Sequence, residues 1–252
     1  MPVGDSDLAI LNAVLLSAVA GLATGLGGGL VLLFRRLDMR TYDALLGFAA
    51  GVMTAIATMG LIHESTTMGP LWVTILGVAV GAAVLFALDR FLPHEHEHLP
   101  FECSNHVAYR RGVMLMAAMT MHNLPEGLAV GTAYAAQPRL GLLLAVAIAL
   151  HNIPEGMAIT GPFRACGMPP LRALGWAFLS GLAEPLAALV GAFFVTQMQG
   201  LLPFSLAFAG GAMLYVVSDE LIPESHSHGF EHQATTGFIV GFLLLLALTR
   251  MM

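Results

Sequence analysis

Long apolar segments are the feature that most constrains what this chain can fold into. Eight stretches are predominantly apolar over about 20 residues, the length that crosses the hydrocarbon core of a bilayer as a helix. They cover residues 8–34, 42–62, 71–92, 109–135, 139–163, 171–197, 203–221 and 234–252. Helices satisfy their own backbone hydrogen bonds in lipid. The sequence therefore predicts an all-α polytopic membrane protein with eight transmembrane helices, termed spans 1 to 8.

Charged residues are scarce, and this excludes most soluble functions. Only 10% of the 252 residues are charged and 57% are hydrophobic, whereas a soluble domain carries about 25% charged residues. A soluble enzyme, a nucleic-acid-binding protein and a disordered chain are therefore excluded. The segments between the spans are too short for a soluble domain. Residues 1–252 are thus expected to form one transmembrane domain that is solvated by membrane lipid.

Arginine is concentrated on one side of the predicted membrane. The chain has no lysine, and most of its arginines lie in or beside the links between spans 1 and 2, 3 and 4, and 5 and 6. These are Arg35, Arg36, Arg40, Arg90, Arg110, Arg111, Arg164 and Arg172. Because cytoplasmic loops carry the excess of positive charge, both termini are expected to be extracytoplasmic in a bacterial inner membrane. Cys103 and Cys166 lack paired spacing and would lie on the cytoplasmic side as reduced thiols.

Two links on the expected cytoplasmic side are rich in histidine. They are residues 93–108, between spans 3 and 4, and residues 222–233, between spans 7 and 8. Histidine-rich tracts bind metals weakly, so both links are candidates for receiving or sensing metal. Ordinary solvated loops are the alternative interpretation.

A short sequence repeat indicates internal symmetry. Span 2 ends in Leu-Ile-His-Glu-Ser at residues 61–65, and span 7 ends in Leu-Ile-Pro-Glu-Ser at residues 221–225. These two spans would cross the membrane in opposite directions, as in the inverted repeats of transporters. Spans 1–3 and spans 6–8 would then be the two repeats, with spans 4 and 5 between them.

Two copies of one polar motif interrupt the apolar spans. Spans 4 and 5 carry His-Asn-x-Pro-Glu-Gly at residues 122–127 and 151–156, and span 6 carries Glu184 followed by Pro185. A carboxylate at such depth is costly, so these groups usually face the interior of a bundle and serve a function. In each copy, His and Glu stand four residues apart and share one helix face. The sequence therefore predicts a polar site near the mid-plane, where spans 4, 5 and 6 converge.

The side chains of this pattern have the chemistry of divalent-metal ligands. Imidazole with carboxylate and without thiolate suits Zn²⁺, Fe²⁺, Mn²⁺, Co²⁺ or Ni²⁺. The candidate ligands are His122, Asn123, Glu126, His151, Asn152, Glu155 and Glu184. The metal would be a transported substrate and not a resident cofactor.

Two other functions use the same residue types. Chains of His and Glu also carry protons, so a proton- or sodium-transporting membrane protein with incidental metal affinity is one alternative. An intramembrane metalloenzyme is the other, although no HExxH motif lies within a predicted span and the GxSxG motif is absent. A duplicated, carboxylate-rich site favours reversible passage of an ion over a hydrolytic centre. No enzymatic activity is therefore expected.

The paired hexapeptides on the fourth and fifth of eight spans resemble the signature of the ZIP (Zrt/Irt-like protein) family of divalent-metal transporters. The whole chain is similar to its bacterial ZupT/GufA-like members, including the Glu-Pro pair at residues 184–185. The resemblance implies transport of Zn²⁺, or of Fe²⁺, Mn²⁺, Co²⁺ or Cd²⁺, toward the cytoplasm by a protein that is often a homodimer. It also implies an elevator motion in which spans 1, 4, 5 and 6 slide against spans 2, 3, 7 and 8.

The same resemblance implies a binuclear site at mid-membrane. One ion position corresponds to His122, Glu126, His151 and Glu155. The second corresponds to Asn123, Glu126, Asn152, Glu155 and Glu184. In the family, the pair that matches Asp219 and Glu220 lines the exit route.

Overall fold

The described part of the chain is helical throughout. The computed structural model describes residues 3–33, 38–91 and 105–251, and no strand occurs in these ranges. Their long helices are α1 (Val3–Leu33), α2 (Met39–Met68), α3 (Leu71–Phe91), α4 (His106–Ala136), α5 (Pro138–Ala165), α6 (Pro170–Gln197), α7 (Gln199–Ser225) and α8 (Glu231–Met251). Each overlaps one predicted span, so the prediction of an all-helical polytopic protein is confirmed.

One helix is more polar than the others. Within the described residues, seven of these helices are long and apolar enough to cross a membrane. The remaining one is α4, which has 31 residues but carries the first polar motif in its middle and two arginines near its start. The polar motif and the arginines therefore lower the mean hydropathy of α4.

Local chemistry explains several helix ends. Asp38 caps α2, and its carboxylate accepts a hydrogen bond from the backbone N–H of Thr41 at 2.6 Å. Hydrogen bonding to Thr41 holds the pKa of the Asp38 carboxyl below its ordinary value. At its other end α2 runs past the predicted boundary at residue 62 to Met68, because the polar residues 63–68 continue the helix beyond its apolar part.

Three helices contain irregular turns. In α2, residues Ile56–Ile62 form a π-helical segment, and in α7 residues Val217–Leu221 do so. Each segment overlaps the start of the repeated Leu-Ile-x-Glu-Ser sequence. Helix α6 is interrupted at Leu182, between Pro170–Gly181 and Ala183–Gln197. Pro185 has no N–H to offer the carbonyl of Gly181, which accounts for a break at this place.

The helices pack as two groups of four. We call α1, α4, α5 and α6 the site group, and α2, α3, α7 and α8 the flanking group; most packing is within each group. The groups meet chiefly where α4 contacts α7 and where α2 contacts α5. Helix α1 packs on α5 as α6 packs on α4, and α2 packs on α8 as α7 packs on α3. The pairing is therefore preserved when residues 3–91 are exchanged with residues 170–251 and α4 is exchanged with α5.

Glycine allows the close approach of helices beside the polar motifs. A Cβ atom at Gly127 of α4 would overlap the backbone carbonyl of Glu184 on α6, and one at Gly156 of α5 would overlap that of Thr24 on α1. Small residues serve this purpose in membranes, where burial of apolar surface does not drive helices together. The last residue of each hexapeptide thus brings a neighbouring backbone against the site.

The cysteine prediction is wrong for Cys166, which is disulfide-bonded. Cys103 lies outside the described residues, as do Arg35, Arg36 and most of the histidine-rich link 93–108. The spacing of isolated cysteines carries no signal for such a bond, because tertiary packing alone brings distant cysteines together.

Candidate metal site

The polar side chains of α4, α5 and α6 are enclosed by the site group. All of the predicted ligands have no exposed surface: His122, Asn123, Glu126, His151, Asn152, Glu155 and Glu184. Burial of so many polar groups is unfavourable unless each finds a hydrogen-bonding or ionic partner. Their individual contacts show which groups have one.

Two carboxylates and one imidazole form the centre of the cluster. Ligand atoms of Glu126, His151 and Glu155 all lie within 4.8 Å of one another. The Nε2 atom of His151 is 2.9 Å from Oε1 of Glu126 and 3.9 Å from Oε1 of Glu155. These distances place one nitrogen and two oxygen ligands around a common point.

The orientation of His151 leaves Nε2 available as a ligand. Its Nδ1 lies 3.2 Å from the carbonyl oxygen of Ala147, one turn earlier on α5. A carbonyl only accepts hydrogen bonds, so Nδ1 carries the proton and donates it, and Nε2 of the neutral ring bears the lone pair. A lone pair that faces a carboxylate oxygen at 2.9 Å needs a cation between them, either a proton or a metal ion.

The two asparagines present oxygen to the same interior. The Nδ2 atom of Asn123 donates to the backbone carbonyl of Ser180 at 2.8 Å and to its hydroxyl at 3.1 Å. The Nδ2 atom of Asn152 donates to the carbonyl of Ala20 at 2.9 Å and to Oε1 of Glu184 at 2.6 Å. Because carbonyl oxygens are acceptors only, these contacts identify the nitrogen end of each amide. Each Oδ1 atom therefore points away from its anchor.

The site contains several buried oxygens that accept no hydrogen bond from any described residue. They are Oδ1 of Asn123 and Asn152, Oε2 of Glu126 and Glu184, and both carboxylate oxygens of Glu155. A buried acceptor without a donor costs about 1–3 kcal/mol, and a charged one costs more. All of these atoms are acceptors, so bound cations would satisfy them. The cluster has the ligand chemistry of a divalent metal ion.

His122 occupies a different position from its counterpart in the second motif. Its Nε2 is 3.3 Å from Oε2 of Glu220 on α7, and its Nδ1 is 3.3 Å from the sulfur of Met119. The structure thus brings Glu126, His151 and Glu155 together and turns His122 toward the flanking group. In both motifs the His and Glu side chains share one helix face. The two faces meet different neighbours, so the two histidines have different partners.

Two partners of the site were not singled out as such from the sequence. Ser180 holds the amide of Asn123, and its position four residues before Glu184 was the signal that could have identified it. Glu220 was expected only to line an exit route, and the structure places it against His122. The carbonyl of Ala20, which holds Asn152, has no side-chain signal at all.

Comparison with known proteins agrees with this chemistry. A family model described as ZIP zinc transporter matches residues 94–249. The zinc transporter GufA of Myxococcus xanthus is 40% identical over an alignment of 242 residues that covers 92% of this chain and 95% of that protein. The zinc transporter ZIPB of Bordetella bronchiseptica is 40% identical over 255 residues, covering 97% of this chain and 82% of that protein.

A third relative extends the similarity to another bacterial group. The zinc transporter ZupT of Chlorobium luteolum is 38% identical over 254 residues, covering 92% of this chain and 95% of that protein. The matches run through the helices that carry both hexapeptides and the Glu-Pro pair of α6. On the strength of these similarities and of the family model, the chain belongs to the ZIP zinc transporter family.

Proposed function

We propose that this protein carries Zn²⁺ across a membrane toward the cytoplasm, by binding it within the site group. The observation that carries the proposal is the set of buried acceptor oxygens around His151, which no described donor satisfies. The relatives are named as zinc transporters, and the proposed activity is transport rather than catalysis.

We assign the first ion position to Glu126, His151 and Glu155. Their ligand atoms are already within 4.8 Å of one another, so an ion would exchange its water for two carboxylates and an imidazole. Both carboxylates are required, because they offset the cost of dehydrating a divalent cation in a medium of low dielectric constant.

We assign a second, adjoining position to the oxygen ligands. Asn123, Asn152 and Glu184 supply it together with the remaining oxygens of Glu126 and Glu155, which face both positions. His122 completes the first position when its imidazole leaves Glu220. Imidazole and carboxylate ligands together suit several divalent transition metals, so Fe²⁺, Mn²⁺, Co²⁺ and Cd²⁺ are further candidate substrates.

The proposed membrane arrangement has eight spans, including the polar helix α4. Both termini are extracytoplasmic, in the inner membrane of a bacterium, as the arginine distribution indicates. The preserved helix pairing and the π-helical segments of α2 and α7 support an inverted repeat of spans 1–3 and 6–8. We further propose a homodimer, with residues 93–108 and 222–233 on the cytoplasmic side.

The proposed motion is a displacement of the site group against the flanking group. The metal ligands of both positions belong to α4, α5 and α6, so an ion would move with these helices. The two groups share less packing than either has internally. A displacement at their interface therefore disrupts fewer contacts than a displacement within either group. The opening of this interface would bring the ion alternately to the two sides of the membrane.

Uptake into proteoliposomes tests the proposal. Purified protein would be offered Zn²⁺, Fe²⁺, Mn²⁺, Cd²⁺ and Mg²⁺ separately, with the Glu126→Ala/Glu155→Ala double variant as control. We expect uptake of transition metals but not of Mg²⁺, and loss of uptake in the variant. Proton or sodium flux without metal uptake, or zinc-dependent cleavage of a substrate without flux, would contradict the proposal.

A further inference from the structure

A second polar network joins the two helix groups and contains none of the candidate metal ligands. It contains Tyr42 and Asp43 from the first turns of α2, Arg111 from the first turns of α4, Glu224 from the last turn of α7, and His228 from the segment that follows α7. Asp43 is fully buried. None of these residues belongs to the candidate metal site.

The network is a continuous series of short contacts. Oδ1 of Asp43 lies 2.8 Å from Nδ1 of His228. Nε2 of His228 lies 2.7 Å from a guanidinium nitrogen of Arg111. The same nitrogen of Arg111 lies 2.7 Å from Oε1 of Glu224. Tyr42 donates its hydroxyl to Glu224 at 3.3 Å and sets its ring edge-on to that of His228.

The donors and acceptors of the network determine where its protons are. A guanidinium only donates, so Nε2 of His228 accepts from Arg111 and is unprotonated. Nδ1 of His228 therefore carries the ring proton and donates it to Asp43. The result is an alternation of carboxylate, neutral imidazole, guanidinium and carboxylate. In each contact of this series a donor faces an acceptor.

Arg111 is the only member of the network that comes from the site group. Tyr42, Asp43 and Glu224 belong to helices of the flanking group, and His228 follows one of them. Arg111 and His122 are eleven residues apart on α4, about three helical turns, and thus share a face. His122 contacts Glu220 and Arg111 contacts Glu224, so both attach this face of α4 to α7.

We propose that the network of Asp43, His228, Arg111 and Glu224 is a latch that holds the site group against the flanking group and must open in each transport cycle. The proposal rests on the transport function and on the sliding of the two groups. Any displacement of α4 along α7 separates Arg111 from Glu224 and from His228.

The exposure of the network suits a contact that breaks and re-forms. The side chains of Arg111 and Glu224 are 44% and 26% exposed, so water can solvate them when they part. Exposed ion pairs contribute little stability, so the separation of Arg111 from Glu224 requires little free energy. Asp43 and His228 remain paired within the flanking group and keep the acceptor for Arg111 in place.

Cross-linking tests whether this contact must open. The variant Arg111→Cys/Glu224→Cys would be joined in proteoliposomes by a short bis-methanethiosulfonate reagent, and zinc uptake would be measured before and after reduction. We expect uptake to fall to the level of protein-free liposomes and to return on reduction. Each single cysteine variant, treated identically, controls for reaction of the reagent elsewhere and should retain uptake.

The outcomes of this experiment are distinct. Wild-type uptake with unimpeded uptake by the cross-linked variant would overturn the latch and leave the transport function standing. Absence of uptake by the wild-type protein would instead contradict the proposed function. Zinc binding by the cross-linked variant is measured in parallel and should match that of the wild-type protein, since the metal ligands are untouched.

Exchange of the two charges provides a second test. Arg111→Glu places a third acid in the network and should increase hydrogen exchange of backbone amides in residues 106–112 and 222–228, whereas Arg111→Glu/Glu224→Arg should restore much of the protection. Arg40→Gln, which removes an exposed positive charge at the same end of α2, should leave both segments unchanged. Equal exchange in Arg111→Glu and the wild-type protein would overturn the latch.

Discussion

The candidate metal site and the proposed latch are built from the same residue types but differ in how their charges are satisfied. Each combines carboxylates with an imidazole whose Nδ1 is held by an acceptor, Ala147 for His151 and Asp43 for His228. In the latch, the guanidinium of Arg111 contacts both the imidazole and a carboxylate. In the site, four carboxylate oxygens have no hydrogen-bond donor among the described residues.

The presence or absence of a cation from the chain itself distinguishes a structural cluster of charges from a candidate binding site. A guanidinium that is part of the chain compensates the charge of the acids without a metal ion, and Oδ2 of Asp43 is the one buried oxygen of the described network that has no hydrogen-bond donor. A cluster that lacks such a cation gains stability only when a mobile cation enters. The comparison therefore predicts that equivalent substitutions will affect metal binding in one cluster and not in the other.

The largest effect is expected from the loss of a site carboxylate. Glu155→Gln removes a charge whose two oxygens both lack a hydrogen-bond donor among the described residues, so we expect zinc affinity to fall by more than the 10- to 100-fold that is typical for groups that support metal ligands. Glu224→Gln makes the same chemical change in the latch and should leave affinity unchanged. Titration calorimetry on both purified variants measures this, and similar affinities for the two would invalidate the distinction.

A somewhat smaller effect is expected from the helix contacts that shape the site. Gly156→Ala forces α5 away from the carbonyl of Thr24 on α1, and such overpacking costs about 1–3 kcal/mol. Gly161→Ala is the matched control on the same helix, since a Cβ there meets nothing within 4 Å. Thermal unfolding in detergent should show a lower midpoint for the first variant only. Equal midpoints would show that the close approach does not matter for stability.

The sequence was sufficient to predict the helices and the burial of the polar residues in the motifs. Apolar length marks a membrane helix directly, and the repeated hexapeptide identifies buried His, Asn and Glu because such residues are costly in lipid. These features are local, so a single segment of sequence contains the whole signal.

Features that depend on tertiary packing were not predicted. Asp43 and His228 are 185 residues apart in sequence, and the histidine-rich link that contains His228 gave no sign of this partner. The two motif histidines look equivalent in sequence, yet one meets Glu126 and the other meets Glu220, because α4 and α5 face different neighbours. Helix periodicity gives the face of a residue but not the helix that packs on it.

The unequal surroundings of the two motif histidines give a third prediction. His151→Gln removes the nitrogen nearest the two carboxylates and should lower zinc affinity about tenfold or more, as expected for loss of a ligand-supporting group or a ligand. His122→Gln should change affinity less and the ranking of transported metals more, because it exchanges imidazole for an amide. Calorimetry and competitive uptake with Zn²⁺, Mn²⁺ and Fe²⁺ measure both quantities. Identical losses of affinity would indicate that the histidines act as equals.

The smallest effect is expected from the anchor of an amide ligand. Ser180→Ala removes the hydroxyl that Asn123 contacts at 3.1 Å but keeps the backbone carbonyl at 2.8 Å. One hydrogen bond is worth about 0.5–1.5 kcal/mol, so zinc affinity should fall by roughly two- to tenfold. Ser65→Ala removes a buried hydroxyl in the flanking group and should have no effect on affinity. A loss of equal size in both variants would trace the change to general packing, whereas a loss confined to Ser180→Ala would show that the direction of the Asn123 oxygen contributes to metal binding.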